Sequence, residues 1–481
     1  MIPTPRYSLV RLVRGTLAGT IVAACASTAV AGIENLLPAQ KKDVVNFCGT
    51  SQVKLVFRYY GVGLCYIDFS EAATDTSRPP IHVIPGTTAG TLPVISPDGQ
   101  WVTYASGVNG DKSSSPSTAW LSRLSETATP VVVKQDAGYV PRFAFNDGGT
   151  PTIVYSTCSY ATGNDYVWGT CGTVEQVACP GGVAGTPTVL WNGGGYVGGL
   201  SYDGRYLATA ENAIFSWILD LNASQGGPSR TPQFDSSNTC VRRRQQTCNP
   251  SVSSSKIYTN AMSCLAVEGS HPSIGGRWFF HDRIFVCDAQ GRVLQYYVVP
   301  PEIVVVEDPS STPNGDIMRT EWDASEWSSH PYYMTAALKI GRAYYNAATD
   351  AVVNPIHSEM AYMINLKEST HVKLIEVTDT SVFSQVYFPG LWVERPTGFT
   401  EAPGWLEPAK YTPNFPASCD SSTPAPIPTP IPTPIPTPTP TPTPENRCGT
   451  GSGLAFIPPV FFFVAARVSR RRKKLESGVV A

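Results

Sequence analysis

The chain of 481 residues has few charged side chains, which make up 15% of it, and it contains only six histidines. None of these histidines lies in an H-E-x-x-H motif, and no two cysteines are spaced as C-x-x-C. These absences argue against the common zinc-protease and zinc-ribbon sites. A glycine-rich phosphate loop is also absent, so the sequence predicts no cofactor.

Acidic residues are absent before Glu34, whereas three arginines precede an apolar, small-residue run over residues 15–31. The run ends in Ala29-Val30-Ala31, the small-x-small pattern that a signal peptidase accepts. Residues 1–31 are therefore predicted to be a secretory signal peptide that is cleaved after Ala31. Two alternatives stay open, namely an N-terminal membrane anchor and lipidation at Cys25.

Residues 421–447 are dominated by alternating proline and threonine. Proline fixes the backbone dihedral φ and lacks an N–H donor, so this segment cannot form a helix or a sheet. We expect an extended, semi-rigid stalk, and its 22 most regular residues would span roughly 70 Å at about 3.1 Å per residue. The threonines are possible glycosylation points.

The final segment, residues 448–481, begins with Cys448 and Gly449, continues in a short apolar run and ends in a basic cluster. This layout resembles the C-terminal sorting signals of Gram-negative bacteria, most closely the MYXO-CTERM type. The resemblance implies membrane insertion with the basic cluster inside, cleavage near Cys448 by a sorting protease, and attachment at the outer surface. The paired prolines 458–459 depart from that type, and a permanent, kinked membrane anchor is the alternative.

The composition of the part between these ends favours an all-β protein with many turns. The full chain has 35 basic and 37 acidic residues. Residues 1–31 contain 3 of the basic ones, and residues 448–481 contain 6 basic residues and 1 acidic residue, so 26 basic and 36 acidic residues remain. The resulting net charge of −10 argues against nucleic acid as a partner and limits membrane contact to the tail. Many Gly, Pro, Thr, Val and Tyr residues indicate short strands and turns.

Twelve cysteines suit a protein outside the cytoplasm, where disulfides persist. If Cys25 and Cys448 are set aside, ten remain, and connectivity cannot be read from sequence. The pairings we predict are Cys48–Cys65 across a hairpin, Cys240–Cys248 around a loop, and Cys264–Cys287.

A repeated strand–turn–strand unit is clearest over residues 92–104, Leu-Pro-Val-Ile-Ser-Pro-Asp-Gly-Gln-Trp-Val-Thr-Tyr. Ser96-Pro97-Asp98-Gly99 has the residues that a tight turn requires, since proline presets φ and glycine accepts a positive φ. Apolar residues alternate on both sides and predict two strands. Weaker copies have their turns near positions 148, 204, 276 and 330. The long spacing is expected to be taken up by loops, notably residues 222–262.

These units, with a later strand such as Phe215-Ser-Trp-Ile-Leu-Asp-Leu221, resemble the TolB-like (PD40, WD40-like) β-propeller repeat. The resemblance covers roughly residues 45–400 and implies four-stranded blades in a closed ring. Five copies and a strand set over 53–69 predict six blades, with seven as an option. Residues 32–420 are thus predicted to form an all-β propeller, and a β-sandwich or a two-domain β protein is the alternative.

His271 and His330 each follow a serine and precede a proline near a predicted turn. Together with Asp98, Asp147 or Asp203, such histidines could bind a divalent metal at the propeller channel, and TolB-like propellers that act as oligogalacturonate lyases use channel histidines. The two His-Pro pairs are out of register, however, so a turn-shaping role is the preferred interpretation.

Arg242, Arg243 and Arg244 lie between two cysteines and form the most concentrated positive segment of an acidic domain. They are candidates for binding anionic groups of a polysaccharide, and Trp327 is a candidate for a sugar-binding face. The alternative for the arginines is a solvated loop. The sequence as a whole favours a surface-displayed module that binds protein or carbohydrate. A surface enzyme that degrades polysaccharide with channel His and Asp and a metal is the alternative.

Overall fold

The protein is a six-bladed β-propeller. The computed structural model describes residues 33–106, 117–145, 149–157, 172–193, 195–211, 215–222, 229–230, 245–269, 279–281, 283–289, 293–300, 316–346, 351–378 and 384–406. The signal peptide, the stalk and the C-terminal tail predicted from the sequence lie outside these residues, and so do Ala31, Cys448 and Gly449. Among the described residues, no helix is both long and apolar enough to cross a membrane.

Blades 1 to 3 are four-stranded antiparallel sheets that follow one another along the chain. Blade 1 contains β5 (Gly90–Ile95), β6 (Trp101–Ser106), β7 (Thr118–Arg123) and β8 (Val131–Lys134). Blade 2 contains β9 (Tyr139–Phe143), β10 (Thr152–Ser156), β11 (Val174–Ala178) and β12 (Thr188–Trp191). Blade 3 contains β13 (Tyr196–Leu200), β14 (Tyr206–Glu211), β15 (Phe215–Asp220) and β16 (Ser229–Arg230).

Blades 4 to 6 are larger or are assembled from distant parts of the chain. Blade 4 contains β17 (Gln245–Val252), β18 (Ala261–Gly269), β19 (Phe279–Phe280), β20 (Arg283–Asp288) and β21 (Val293–Val298). Blade 5 contains β22 (Asp316–Trp327), β23 (Tyr333–Asn346), β24 (Ala351–Asn365), β25 (Thr370–Val377) and the N-terminal β1 (Leu36–Pro38). Blade 6 contains β26 (Ser384–Val393), β2 (Val53–Tyr59), β3 (Gly63–Asp68) and β4 (His82–Val83).

The two ends of the domain close the ring by pairing within the same blade. The C-terminal β26 runs antiparallel to the N-terminal β2, with Val53 opposite Val393 and Tyr59 opposite Val386. The N-terminal segment also supplies the outermost strand of blade 5, where Leu36 lies opposite Val377. A short helix, α1 (Lys41–Cys48), connects β1 to β2 along the chain. It is followed by Gly49, whose φ is 80°. Closure leaves few exposed sheet edges.

The first strand of every blade lines the central channel and contains a bulge of one residue. In blade 1, Thr91 pairs with Ala105 and Val94 pairs with Thr103, so three steps along one strand match two along the other. The other five first strands show the same shift. One residue at each bulge has a positive φ, namely Leu92, Val140, Gly199, Asn249, Ala324 and Phe388. In four blades a proline follows it (Pro93, Pro141, Pro250, Pro389), which suits an unpaired position because proline has no N–H to donate.

Most of the predicted repeat units are confirmed, but the fourth was placed wrongly. Residues 92–104, 139–155 and 196–209 form the first two strands of blades 1, 2 and 3, and residues 53–69 contribute to blade 6. The first two strands of blade 4, however, are β17 and β18, whereas the sequence predicted this unit at residues 271–280. The error arose because Gln245–Val252 is largely polar and shows no apolar alternation, so it was assigned to a loop.

Apolar side chains fill the spaces between neighbouring blades. Trp101, Phe143 and Tyr155 belong to the cluster between blades 1 and 2, and Val56, Ile95 and Tyr104 to the one between blades 6 and 1. Burial of such side chains contributes roughly 1.5–3 kcal/mol each relative to exposure. The blades therefore hold the first strands rigidly around the channel.

The five cysteines whose side chains are described are all free thiols, so the predicted Cys48–Cys65 and Cys264–Cys287 disulfides are absent from the structure. Cys48 donates instead to the carbonyl of Val44 at 3.1 Å, at the end of α1. Cys264 and Cys287 lie on the adjacent strands β18 and β20, two residues out of direct opposition. A hydrogen bond to Cys287, together with burial, holds the pKa of the Cys264 thiol well above its usual value. Cys240, and with it the predicted Cys240–Cys248 pair, lies outside the described residues.

Candidate functional site in the central channel

The first residue to pair again after each bulge defines a ring of six equivalent positions, which we call the channel ring. Its members are Val94, Arg142, Leu200, Ser251, Glu326 and Gly390. Only two of the six are charged. They come from blades 2 and 5, which lie opposite each other in a ring of six.

Arg142 and Glu326 meet across the channel as a buried ion pair. The guanidinium Nη2 lies 3.2 Å from the carboxylate Oε2, and the two side chains are only 4% and 11% exposed. The Ser251 hydroxyl donates to Glu326 Oε1 at 2.8 Å and accepts a hydrogen bond from the backbone N–H of Trp327 at 2.9 Å. Burial raises the pKa of Glu326, against the opposing effects of Arg142 and the Ser251 hydrogen bond.

The ion pair forms part of a small pocket inside the channel. The lining residues come from five blades and are Leu92, Pro93, Arg142, Tyr196, Ala324, Ser325, Glu326, Phe388 and Pro389. About 210 Å³ of empty space lies among them when open solvent is counted, but the enclosed part is only about 10 Å³, which is room for roughly one water molecule. The Arg142 guanidinium also donates to the Tyr196 hydroxyl at 2.8 Å. The pocket thus combines apolar walls with a few convergent polar groups, as ligand sites do.

Two glycines allow the inner strands to approach each other this closely. A Cβ on Gly390 would lie 2.7 Å from the carbonyl oxygen of Pro93 in blade 1. A Cβ on Gly198 would lie 2.3 Å from the carbonyl oxygen of Pro250 in blade 4. Larger residues at these positions would push the strands apart and widen the channel.

His330 lies in the turn between β22 and β23, at the position that an aspartate holds in the turns of blades 1 and 3. In blades 1 and 3, Asp98 and Asp203 accept the N–H of the residue two positions later, each at 3.1 Å. In blade 5, His330 Nδ1 accepts the Tyr332 N–H at 3.3 Å. This equivalence agrees with a turn-shaping role for His330.

The surroundings of His330 keep its ring neutral. The side chain is buried among the rings of Tyr332, Tyr333 and Phe399. Burial, and secondarily the charge of Arg395, lowers the pKa of His330 to about 3. Among the described residues, no group of three or more His, Cys, Asp or Glu side chains is placed to hold a metal ion. His271, the other metal candidate, lies outside the described residues.

The remaining candidates from the sequence do not join this pocket in the part of the chain that is described. Trp327 is 1% exposed, and its Nε1 donates to the Pro331 carbonyl at 2.9 Å, so its ring packs in the core of blade 5. Arg242, Arg243 and Arg244 fall outside the described residues. The sequence analysis missed Arg142, Tyr196 and Glu326. The proline that recurs at the bulge of four inner strands was a signal that could have located these strands and hence the channel.

Comparisons with known proteins add little to this picture. No family profile matches the sequence, and no curated protein matches it. Puromycin hydrolase is similar at 13% identity and a TM-score of 0.35, over 66% of this chain and 43% of that one. A protein assigned as a 6-phosphogluconolactonase from Bacteroides fragilis is similar at 10% identity and a TM-score of 0.33, over 72% and 98%.

A chain of the mitotic checkpoint complex is similar at 11% identity and a TM-score of 0.32, over 64% of this chain and 76% of that one. This chain therefore spans less than half the length of the puromycin hydrolase that it matches. Likenesses at this level indicate no activity. The six-bladed architecture rests on the strand pairing of the protein itself.

Proposed function

We propose that this protein is a ligand-binding β-propeller held outside the cell on its Pro/Thr stalk, with a protein or a carbohydrate as the ligand. The observation that carries the binding role is the channel pocket, where Arg142, Tyr196 and Glu326 converge between apolar walls. Export and surface attachment are supported by the signal-like N-terminus, the stalk and the sorting-type tail of the sequence.

The pocket supports binding because its polar groups are already oriented. Arg142 is held by Glu326 and by the Tyr196 hydroxyl, and Glu326 is held by Ser251. Groups that are fixed before binding lose little conformational entropy when a ligand arrives. A rigid ring of six blades is a suitable scaffold for such a site.

The experiment is a binding screen of the full-length protein against a glycan array and against candidate surface proteins, with Tyr196→Phe as the test variant. The variant removes one hydroxyl from the pocket and should weaken binding several-fold. Tyr60→Phe is the matched control, because Tyr60 lies in the turn between β2 and β3 of blade 6 and is 61% exposed. Equal binding by both variants would place the ligand site elsewhere. Antibody labelling of intact cells tests surface display.

The alternative is a polysaccharide-degrading enzyme that uses His271 or His330 and a divalent metal. Elemental analysis of the purified full-length protein separates the two proposals. A stoichiometric metal that is lost in His271→Ala or His330→Ala would favour the enzyme.

A further inference from the structure

Arg58 is a partly buried arginine near the end of the second strand of blade 6. It is the penultimate residue of β2 and lies between Tyr387 of β26 and Leu64 of β3 in the sheet. Because β2 pairs with β3 without a bulge, Arg58 shares a sheet face with Val56, which packs in the cluster between blades 6 and 1. The side chain of Arg58 therefore belongs to the face of blade 6 that is turned toward blade 1.

The guanidinium of Arg58 has no counter-charge in the part of the chain that the structure describes. None of the described residues forms an ion pair or a side-chain hydrogen bond with it. Burial lowers the pKa of Arg58, and the titratable groups that counteract this effect are the hydroxyls of Tyr387 and Tyr60 rather than a carboxylate. Arg142 and Arg205, by contrast, each face a carboxylate. A charge that is partly removed from water without a partner is unfavourable, so a bound anion would stabilise this position.

Three aromatic side chains lie at the same end of these strands. Tyr60 follows β2 and is 61% exposed. Tyr387 and Phe388 of β26 are partly exposed, with their ring centroids 3.8 Å apart, and Phe388 also lines the channel pocket. We call Arg58 and these three residues the Arg58 cluster. Arginine and tyrosine are enriched among the residues that dominate protein–protein binding, and aromatic residues are enriched in protein interfaces generally.

The charge of the Arg58 cluster selects the kind of anion that fits. No second Lys or Arg is among the groups that affect the pKa of Arg58, so one positive charge matches one negative charge. The guanidinium fork has the geometry to bind a planar carboxylate through two hydrogen bonds. The domain has an excess of acidic residues, which disfavours a ligand with a long acidic run. A single carboxylate between uncharged groups is therefore the best match.

We propose that the Arg58 cluster is a docking site for a protein segment that presents one glutamate or aspartate side chain between uncharged residues. The carboxylate binds the Arg58 guanidinium, and the flanking apolar side chains pack on the rings of Tyr60, Tyr387 and Phe388. The inference rests on the proposed binding function and narrows its ligand to a protein. Tyr60→Phe keeps the ring of Tyr60, so that variant still serves as the control for the channel pocket.

The test compares two immobilised peptide libraries as ligands of the full-length protein. Both libraries have randomised uncharged residues around one central position, which is glutamate in the first library and glutamine in the second. The wild type should bind the glutamate library about 13- to 160-fold more tightly, the equivalent of a charge-assisted hydrogen bond of about 1.5–3 kcal/mol. Arg58→Met should abolish this preference. Arg58→Lys keeps the charge but not the planar fork, so it should retain only part of the preference.

Arg205→Met is the matched control, because the Arg205 side chain is 46% exposed and is already paired with Asp220 in blade 3. This variant should bind both libraries as the wild type does. A stability measurement separates a ligand-binding role of Arg58 from a structural one. Arg58→Met should be at least as stable as the wild type in urea denaturation, because an apolar side chain replaces a partly buried charge that has no counter-charge among the described residues.

Several results would overturn the inference. One is equal binding of the two libraries by the wild type, and another is a preference that survives in Arg58→Met. A large loss of stability in Arg58→Met would make Arg58 a structural residue, and binding of uronic-acid oligosaccharides in place of peptides would contradict a protein partner. In each case, ligand binding that Tyr196→Phe weakens would leave the proposed function standing. If no peptide, protein or glycan binds, the proposed function falls with the inference.

Discussion

Blades 1 and 5 contain the same strand–bulge–turn–strand unit with the acidic residue in different places. In blade 1 the channel-ring residue is Val94 and the turn carries Asp98, whereas in blade 5 these positions hold Glu326 and His330. The backbone hydrogen bonds are equivalent, since Ser96 pairs with Trp101 and Ser328 pairs with Tyr333 across the turn. The unit is therefore a backbone frame that accepts either arrangement of charge.

The difference follows from what surrounds each turn. The blade 1 turn is open to solvent, and its Asp98 hydrogen bond to the Gln100 N–H is exposed. The blade 5 turn is packed against residues 396–406, through Phe399 and Trp405, and the His330 bond to the Tyr332 N–H is buried. A neutral imidazole can serve there as the acceptor without placing an ionised carboxylate in the interior. The carboxylate of the blade 5 unit lies instead at the channel ring, where Arg142 balances Glu326.

The largest effect is expected when blade 5 receives the channel-ring residue of blade 1. Glu326→Val should destabilise the protein by about 3–5 kcal/mol, because it leaves the Arg142 guanidinium buried without its counter-charge. Urea denaturation of the full-length protein measures the loss. The double variant Glu326→Val with Arg142→Met is the control and should recover most of the stability. A single variant as stable as the wild type would show that the ion pair contributes nothing.

A smaller effect is expected when the turn acceptor is removed in each blade. His330→Ala should cost about 2–4 kcal/mol, because a buried N–H loses its partner and the ring contacts with Tyr332, Tyr333 and Phe399 are lost. Asp98→Ala should cost only about 1 kcal/mol, since water can replace the exposed bond. Thermal unfolding of the two variants, measured side by side, provides the comparison. Equal losses would mean that burial does not distinguish the turns.

The third prediction concerns pH and the same histidine. Its pKa is lowered to about 3 in the folded protein, against about 6.5 in an unfolded chain. Below pH 6.5 the unfolded state binds the extra proton, so His330 reduces stability as the pH falls toward 3, by up to about 1.4 kcal/mol per pH unit. Above pH 6.5 the imidazole is neutral in both the folded and the unfolded state, so His330 causes no loss of stability there.

The measurement is the free energy of unfolding of wild type and His330→Asn between pH 4 and pH 7. Asparagine keeps an acceptor for the Tyr332 N–H but does not titrate, so the variant should show the shallower pH dependence. Glu326, with its raised pKa, acts in both proteins and cancels in the difference. Parallel curves would contradict a neutral, buried His330.

Much of the local structure could be predicted from the sequence. Ser96-Pro97-Asp98-Gly99 specifies its turn through residues a few positions apart, and Gly99 adopts the positive φ of 71° that this turn requires. The unit of blade 4 could not be recognised in the same way, because the inner strand Gln245–Val252 is polar and obtains its place from the blades on either side. The candidate site was harder still to predict. His330 attracted attention as a rare residue type, while Arg142 and Glu326 lie in stretches that resemble ordinary strands.

What the sequence alone determined is therefore the local backbone, namely the turns and the strands with alternating side chains. These features depend on φ preferences and side-chain alternation within a few residues. Only the tertiary structure decided which residues meet across the ring. It paired β26 with β2, brought Arg142 to Glu326 from opposite blades, and brought Arg395 of blade 6 to the turns of blades 3, 4 and 5. Such contacts join distant parts of the chain, and closure of the ring, which no local preference encodes, creates them.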